Sequence, residues 1–186
     1  SSDLFPTPVL CRPIEWGADI VTHSTTKYMD GHGASVGGVI VDSGRFNWNA
    51  HADKFPGLTT PDESYHGVVY TERFGLEGAY ITKATAQLMR DLGSIQSPQN
   101  AFLINLGLES LHLRMARHAA NGRAVAEHLA SHPKVAWVRH PSLEGDSEAA
   151  LAAKYLPEGS CGVVSFGVAG GRAAAETFMA NLKLAQ

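Results

Sequence analysis

Short apolar runs alternate along this chain with stretches whose apolar residues recur every third or fourth position. Positions 18–23 and 35–41 are runs of strand length, the second closed by Asp42-Ser43-Gly44. Over 77–92 the spacing of Ile81, Ala84, Leu88 and Leu92 predicts a helix that stops at Gly93. Ser97-Pro98 then offers a capping hydroxyl followed by proline at a first helical position. The helical period continues through Ala101, Ile104, Leu108, Leu111, Met115, His118, Gly122, Val125 and Leu129 until Ser131-His132-Pro133. Unbroken, at 1.5 Å per residue, that is a helix of about 50 Å, with Gly107 and Gly122 as candidate bend points. His118 on this stripe reads as a packed histidine rather than a ligand. Beyond Pro133, a strand at 134–138, a helix at 147–155, a strand at 163–168 and a helix at 172–182 complete the pattern. This interleaving of strands and helices defines an α/β chain.

One polar stretch interrupts the pattern with reactive side chains: His23-Ser24-Thr25-Thr26-Lys27-Tyr28-Met29-Asp30-Gly31-His32-Gly33. It follows the first strand, and ligands in open α/β sheets collect beyond the carboxyl ends of strands. A lysine there can form a Schiff base, while Ser24 and Thr26 can donate hydrogen bonds to a phosphate. Those are the two attachments that pyridoxal 5'-phosphate requires, so Lys27 is read as the Schiff-base lysine and Ser24 and Thr26 as phosphate ligands. Gly31, Gly33, Gly37 and Gly38 let backbone approach backbone or cofactor closely. Ser24-Thr25-Thr26-Lys27 also matches the S-x-x-K nucleophile motif of penicillin-binding proteins, but the companion S-D-N and K-T-G elements do not occur and the glycines oppose a continuing helix. His23 and His32 as metal ligands lack a Cys or carboxylate at ligand spacing between them, and no metal site is expected.

Composition narrows the class further. With 186 residues, 44% hydrophobic, and a formal charge of −3, the chain can bury a substantial core and is neither basic nor acidic enough to point to nucleic acid or a membrane surface. Cys11 and Cys161 are its only cysteines, which suggests a reducing compartment rather than a disulfide scaffold. No apolar run approaches the roughly 18 residues of a membrane span, and the opening does not read as a signal peptide. The cytoplasm is the expected location.

The residues Ser24 to Gly33 resemble the cofactor-lysine segment of the Cys/Met-metabolism (trans-sulfuration) pyridoxal-phosphate enzymes. Thr7-Pro8 with Leu10-Cys11-Arg12-Pro13, Trp16-Gly17-Ala18-Asp19-Ile20, Ser97-Pro98 with Asn100-Ala101-Phe102-Leu103, and Gly107-Leu108-Glu109-Ser110-Leu111-His112-Leu113-Arg114-Met115 are similar to its other signatures. The resemblance implies the fold type I of pyridoxal-phosphate-dependent transferases. Residues 1–98 then belong to the C-terminal part of the large cofactor-binding domain, and 99–186 to a connecting helix and the start of a small α/β C-terminal domain. Members are well over twice as long, so the chain reads as a fragment.

Within the family, the run from Gly33 to Gly44 and the insertion-like stretch 55–70 look like the O-acetylhomoserine sulfhydrylase branch. Turn formers in 55–70 alone spell a surface loop, whereas its Tyr, His and Thr residues suit an active-site wall or a face against a second copy. The branch implies γ-replacement on O-acetyl-L-homoserine by sulfide or methanethiol, giving homocysteine or methionine, with Lys27 also shuttling protons. Elimination of the methionine γ-lyase type, cystathionine synthase or lyase activity, and a catalytically silent scaffold are the alternatives. The resemblance further implies a homodimer or homotetramer whose sites draw on two chains. The family's Asp that pairs with the pyridinium nitrogen falls at Ser2 here. Asp3, one residue on, would serve only after a register slip, and reads as a solvated terminal residue.

Overall fold

In the computed structural model, residues 2–184 are described, with side chains from Leu4 onward. Strands β1 (Ser2–Asp3), β2 (Ile20–Ser24) and β3 (Gly38–Asp42) form one sheet with β2 in the middle. β1 runs parallel to β2, pairing Ser2 with Thr22 and Asp3 with His23, while β3 runs antiparallel from Ile20–Asp42 to Ser24–Gly38. Along β2 the pleat sends Val21 and His23 into buried positions and Thr22 outward. The two strands match the expected runs, shifted toward their C-terminal ends.

The chain divides into two compact units, one of residues 1–7 and 12–109, the other of 8–11 and 110–186. A helical turn, α1 (Thr7–Leu10), follows β1. The α-helices of the first unit are α2 (Pro56–Thr59), α3 (Tyr70–Lys83), α4 (Arg90–Leu92) and α5 (Pro98–Glu109). A π-helical stretch, Ala84–Met89, joins α3 to α4, which ends as the sequence predicts at Gly93, in the left-handed region at φ 69°. α3 starts earlier than expected, but Gly75 breaks its helical backbone (φ 70°, ψ 174°), so the regular helix begins near the predicted position 77.

The core of this unit is aromatic. Trp48, Leu58, Tyr70 and Ala79 are buried, with Phe46, Phe55 and Tyr80 packed against them. Trp48 stacks on Tyr80 at 5.6 Å between ring centroids, meets Phe55 edge-on at 5.1 Å, and donates from its indole nitrogen to Leu76 O at 3.2 Å. The stretch 55–70 is therefore anchored in the unit through buried Leu58 and Tyr70. Its middle is tied down by Lys83, whose Nζ lies 2.6 Å from Asp62 Oδ2.

The second unit holds α6 (Leu111–Ala130), β4 (Val135–Arg139), α7 (Ala149–Tyr155), β5 (Ser165–Val168) and α8 (Gly171–Ala180). β4 and β5 pair antiparallel, with an irregularity between Val135 and Trp137. α6 buries Leu111, Met115, Gly122 and Ala126. Gly122 permits close packing, since a Cβ there would stand 3.0 Å from Cys161 O. Beside it, buried His140 is 2.7 Å from Ser142 Oγ and 3.2 Å from Cys161 O.

The predicted long helix is two helices, and neither glycine breaks it. The interruption falls at Ser110 (φ −101°, ψ 0°), whose carbonyl accepts from Leu113 N and Arg114 N to start α6. Serine competes with helical hydrogen bonding more than most residues, and no Gly or Pro marked the place. The first unit runs through α5 to Glu109, with Ile104 and Gly107 of that helix buried. No helix among the described residues is long and apolar enough to cross a membrane.

Candidate active site

Ser24 is the last residue of β2, and the next six residues form the turn that carries Lys27. Asp30 N donates to Thr25 O at 2.9 Å and Gly31 N to Lys27 O at 3.1 Å, so the turn closes on itself around Lys27. The Lys27 side chain is exposed, and its ammonium makes no ion pair or hydrogen bond to another described residue. The Ser24 hydroxyl is half-buried and likewise makes no side-chain hydrogen bond among the described residues. Thr26 Oγ1 is engaged: it accepts from Gly37 N at 3.0 Å and donates to Gly37 O at 3.2 Å. The three predicted residues thus sit on one strand end and one turn, with two of the three polar heads uncommitted.

The last residue of the turn is a buried anion that the sequence did not single out. Asp30 has 0% of its surface exposed. Its carboxylate accepts from Ala34 N (3.0 Å), Ser35 Oγ (2.9 Å) and His32 N (3.2 Å). Burial works against the charged form, but the donors from Ala34, Ser35 and His32 outweigh it and hold the carboxyl below its ordinary value. An Asp ahead of Gly-His-Gly is an Asx-turn signal, which was the available clue. His32 Nδ1 is also 2.7 Å from Asp30 O, and Tyr28 meets Phe5 edge-on at 6.0 Å.

α5 backs the turn at contact distance. A Cβ on Gly107 would stand 2.1 Å from Asp30 O and 2.5 Å from Met29 O, so only glycine lets the helix approach this closely. Asp3 pairs through its backbone with His23, and its side chain lies outside the described residues. A cleft of about 1380 Å³ in the first unit is lined by residues including Thr22, His23, Gly37, Phe55, Leu58 and Leu88. Ser24, Thr26 and Lys27 are not part of its lining, although 55–58 of the insertion-like stretch are. No group of three or more His, Cys, Asp or Glu suited to a metal occurs among the described residues.

Comparison with known proteins gives this geometry a family. The model of the Cys/Met metabolism PLP-dependent enzymes matches residues 3–186, and the chain belongs to that family. It is 48% identical over 176 residues to the homocysteine synthase of Schizosaccharomyces pombe, an alignment covering 95% of this chain and 41% of that protein. With the O-acetyl-L-homoserine sulfhydrylase of Leptospira meyeri it shares 46% identity over 187 residues, covering 96% and 42%. Among solved structures it superposes with TM-score 0.81 and 32% identity on a provisionally named O-acetylhomoserine (thiol)-lyase from Campylobacter jejuni. That crystal structure contains an N'-pyridoxyl-lysine-5'-monophosphate, and the match covers 90% of this chain and 40% of that one. The α/β fold is that of this PLP-dependent family. The chain spans about two-fifths of the length of the relatives it matches.

Proposed function

We propose that the protein carrying this chain is a pyridoxal-phosphate-dependent O-acetylhomoserine sulfhydrylase. In the reaction, the Cγ–O bond of O-acetyl-L-homoserine breaks, acetate leaves, and the sulfur of sulfide or methanethiol bonds to Cγ, giving homocysteine or methionine. The observation that carries the reading is the uncommitted ammonium of Lys27, exposed on a turn at the C-terminal end of β2 with the hydroxyls of Ser24 and Thr26 beside it in sequence. The activities for which the relatives are named support the substrate, and nothing in the geometry favours elimination over replacement.

The donor set fits the cofactor: one primary amine for its aldehyde and two hydroxyls for its phosphate. Pyridoxal phosphate, when bound, supplies an electron sink that labilises bonds at the substrate α-carbon. Lys27 Nζ would hold it covalently, then take up and return the protons removed from substrate carbon. Ser24 Oγ has its proton available to a phosphate oxygen. Thr26 Oγ1 would exchange its 3.2 Å bond to Gly37 O for a stronger charge-assisted one, while Gly37 N continues to hold it from the other side. Asp30 and Gly107 keep the turn in place behind these groups.

The reading extends to the rest of the molecule. The first unit is part of the large cofactor-binding domain and the second is the opening of the small C-terminal domain. The protein works in the cytoplasm as a homodimer or a homotetramer built from dimers. The deciding experiment incubates the protein with O-acetyl-L-homoserine and sulfide, and separately with methionine alone, and identifies products by mass spectrometry. Homocysteine in the first mixture supports the proposal; 2-oxobutanoate and methanethiol from methionine alone, without homocysteine in the first, would replace it with a γ-lyase.

A further inference from the structure

The Lys27 turn and the loop after it are joined by two cross-links, and one of them is the buried carboxylate of Asp30. The first link is Thr26 to Gly37, through both backbone groups of the glycine. The second runs from Asp30 to His32 N, Ala34 N and Ser35 Oγ. Asp30 is also the residue whose backbone N–H closes the turn onto Thr25 O, and its carbonyl is the atom against which Gly107 of α5 is seated. The carboxylate therefore reaches forward to 32–35 while the backbone reaches back to Thr25, with Lys27 between them.

Lys27 has no side-chain partner among the described residues to fix its ammonium, so the place where Nζ is presented is set by the backbone of this turn. We propose that Asp30 is a positioning residue for Lys27: its carboxylate holds the 25–30 turn in the one shape that presents Nζ beside the hydroxyls of Ser24 and Thr26. This rests on the cofactor reading above and adds a residue to it. It also predicts which replacement is tolerated. An Asn at 30 can offer its carbonyl oxygen to Ala34 N and His32 N and its amide to Ser35 Oγ, which accepts as well as it donates. An Ala leaves two backbone N–H groups and a hydroxyl without their acceptor.

The test uses the natural polypeptide and three variants, Asp30→Ala, Asp30→Asn and Lys27→Ala, each stripped of cofactor and mixed with pyridoxal phosphate. The rate of covalent capture is read from the growth of the visible absorption band, and exposure of the loop from amide hydrogen exchange at His32 and Ala34. Asp30→Ala is expected to slow capture by about tenfold or more and to speed exchange at both amides, with Asp30→Asn within about threefold of wild type. In turnover, Asp30→Ala should lower kcat more than it raises KM. Capture and exchange in Asp30→Ala equal to wild type would overturn the proposal, as would an Asp30→Asn as slow as Asp30→Ala. If Asp30→Ala does not fold, Ser35→Ala removes one donor to the same carboxylate: capture slowed about threefold supports the proposal, and unchanged capture overturns it. Lys27→Ala separates the two ideas, since a visible band that survives there contradicts the cofactor assignment whatever Asp30 does.

Discussion

Thr26 and Gly37 hold each other twice, the threonine hydroxyl accepting from Gly37 N at 3.0 Å and donating to Gly37 O at 3.2 Å. Ser24, two residues earlier, has no such tie among the described residues. The two proposed phosphate ligands should therefore behave differently. Ser24→Ala should weaken pyridoxal phosphate binding by roughly 1.5–3 kcal/mol, the cost of one hydrogen bond to a charged group, and leave the thermal midpoint of the apoprotein unchanged. Thr26→Ala should cost a similar amount of cofactor affinity and lower the apoprotein midpoint too, because the clamp on Gly37 goes with it. Thr26→Ser, which keeps the hydroxyl, should restore most of both. Spectrophotometric titration and calorimetry of the apo forms read these effects, and the double Ala variant should lose affinity more than kcat. Unchanged affinity in the double variant would remove the phosphate role.

A second prediction concerns acid. Lys83 Nζ and Asp62 Oδ2 are 2.6 Å apart, their side chains only 19% and 11% exposed, and Lys83 also lies 4.7 Å over the ring of Tyr70. Hydrogen bonding from Lys83, then from Ser64, holds the Asp62 carboxyl down at about 2 against an ordinary 3.8. A carboxyl lowered by folding stabilises the fold above its unfolded value and loses that contribution as pH falls through its folded value. The loss should run from about pH 4 down to pH 2 and amount to on the order of 1 kcal/mol. Lys83→Met should flatten this segment of the stability curve. Urea unfolding at several pH values for both proteins checks it; parallel acid limbs would show that the pair contributes nothing.

Gly107 supplies a third. Alanine is a better helix former than glycine by about 1 kcal/mol, so on propensity alone Gly107→Ala should stabilise α5. Packing argues the reverse, because the new Cβ would stand 2.1 Å from Asp30 O, a backbone atom that cannot rotate away. Gly107→Ala is expected to destabilise by about 1–3 kcal/mol and to impair cofactor capture through the displaced turn. Gly122→Ala, with its nearest atom at 3.0 Å, should cost less. Chemical denaturation of the two variants ranks them, and a stabilised Gly107→Ala would contradict the packing described.

How much of this was legible in the sequence depended on range. The strands at β2 and β3, the Gly93 stop and the β-α-β-α order of the second unit came from local periodicity and turn chemistry, which short segments carry by themselves. Lys27, Ser24 and Thr26 were singled out because reactive side chains cluster within four residues at a strand end. What stayed hidden was set by contacts between distant segments. Asp30 earns its place only when Ala34 and Ser35 fold back on it, and Gly107 matters only once α5 lies on the turn. The break at Ser110 had no Gly or Pro to announce it. The stretch 55–70 looked like a loop because its turn formers are local, while the burial of Leu58 and Tyr70 beside Trp48 is tertiary.

The most direct test of the account is to trap the cofactor on its lysine. Holoprotein treated with borohydride, digested and mapped by mass spectrometry should carry the reduced pyridoxyl phosphate group on Lys27 and on no other of the lysines at 54, 83, 134, 154 and 183. Attachment at any of those, or a holoprotein with no attachment within this chain, would contradict the assignment of Lys27.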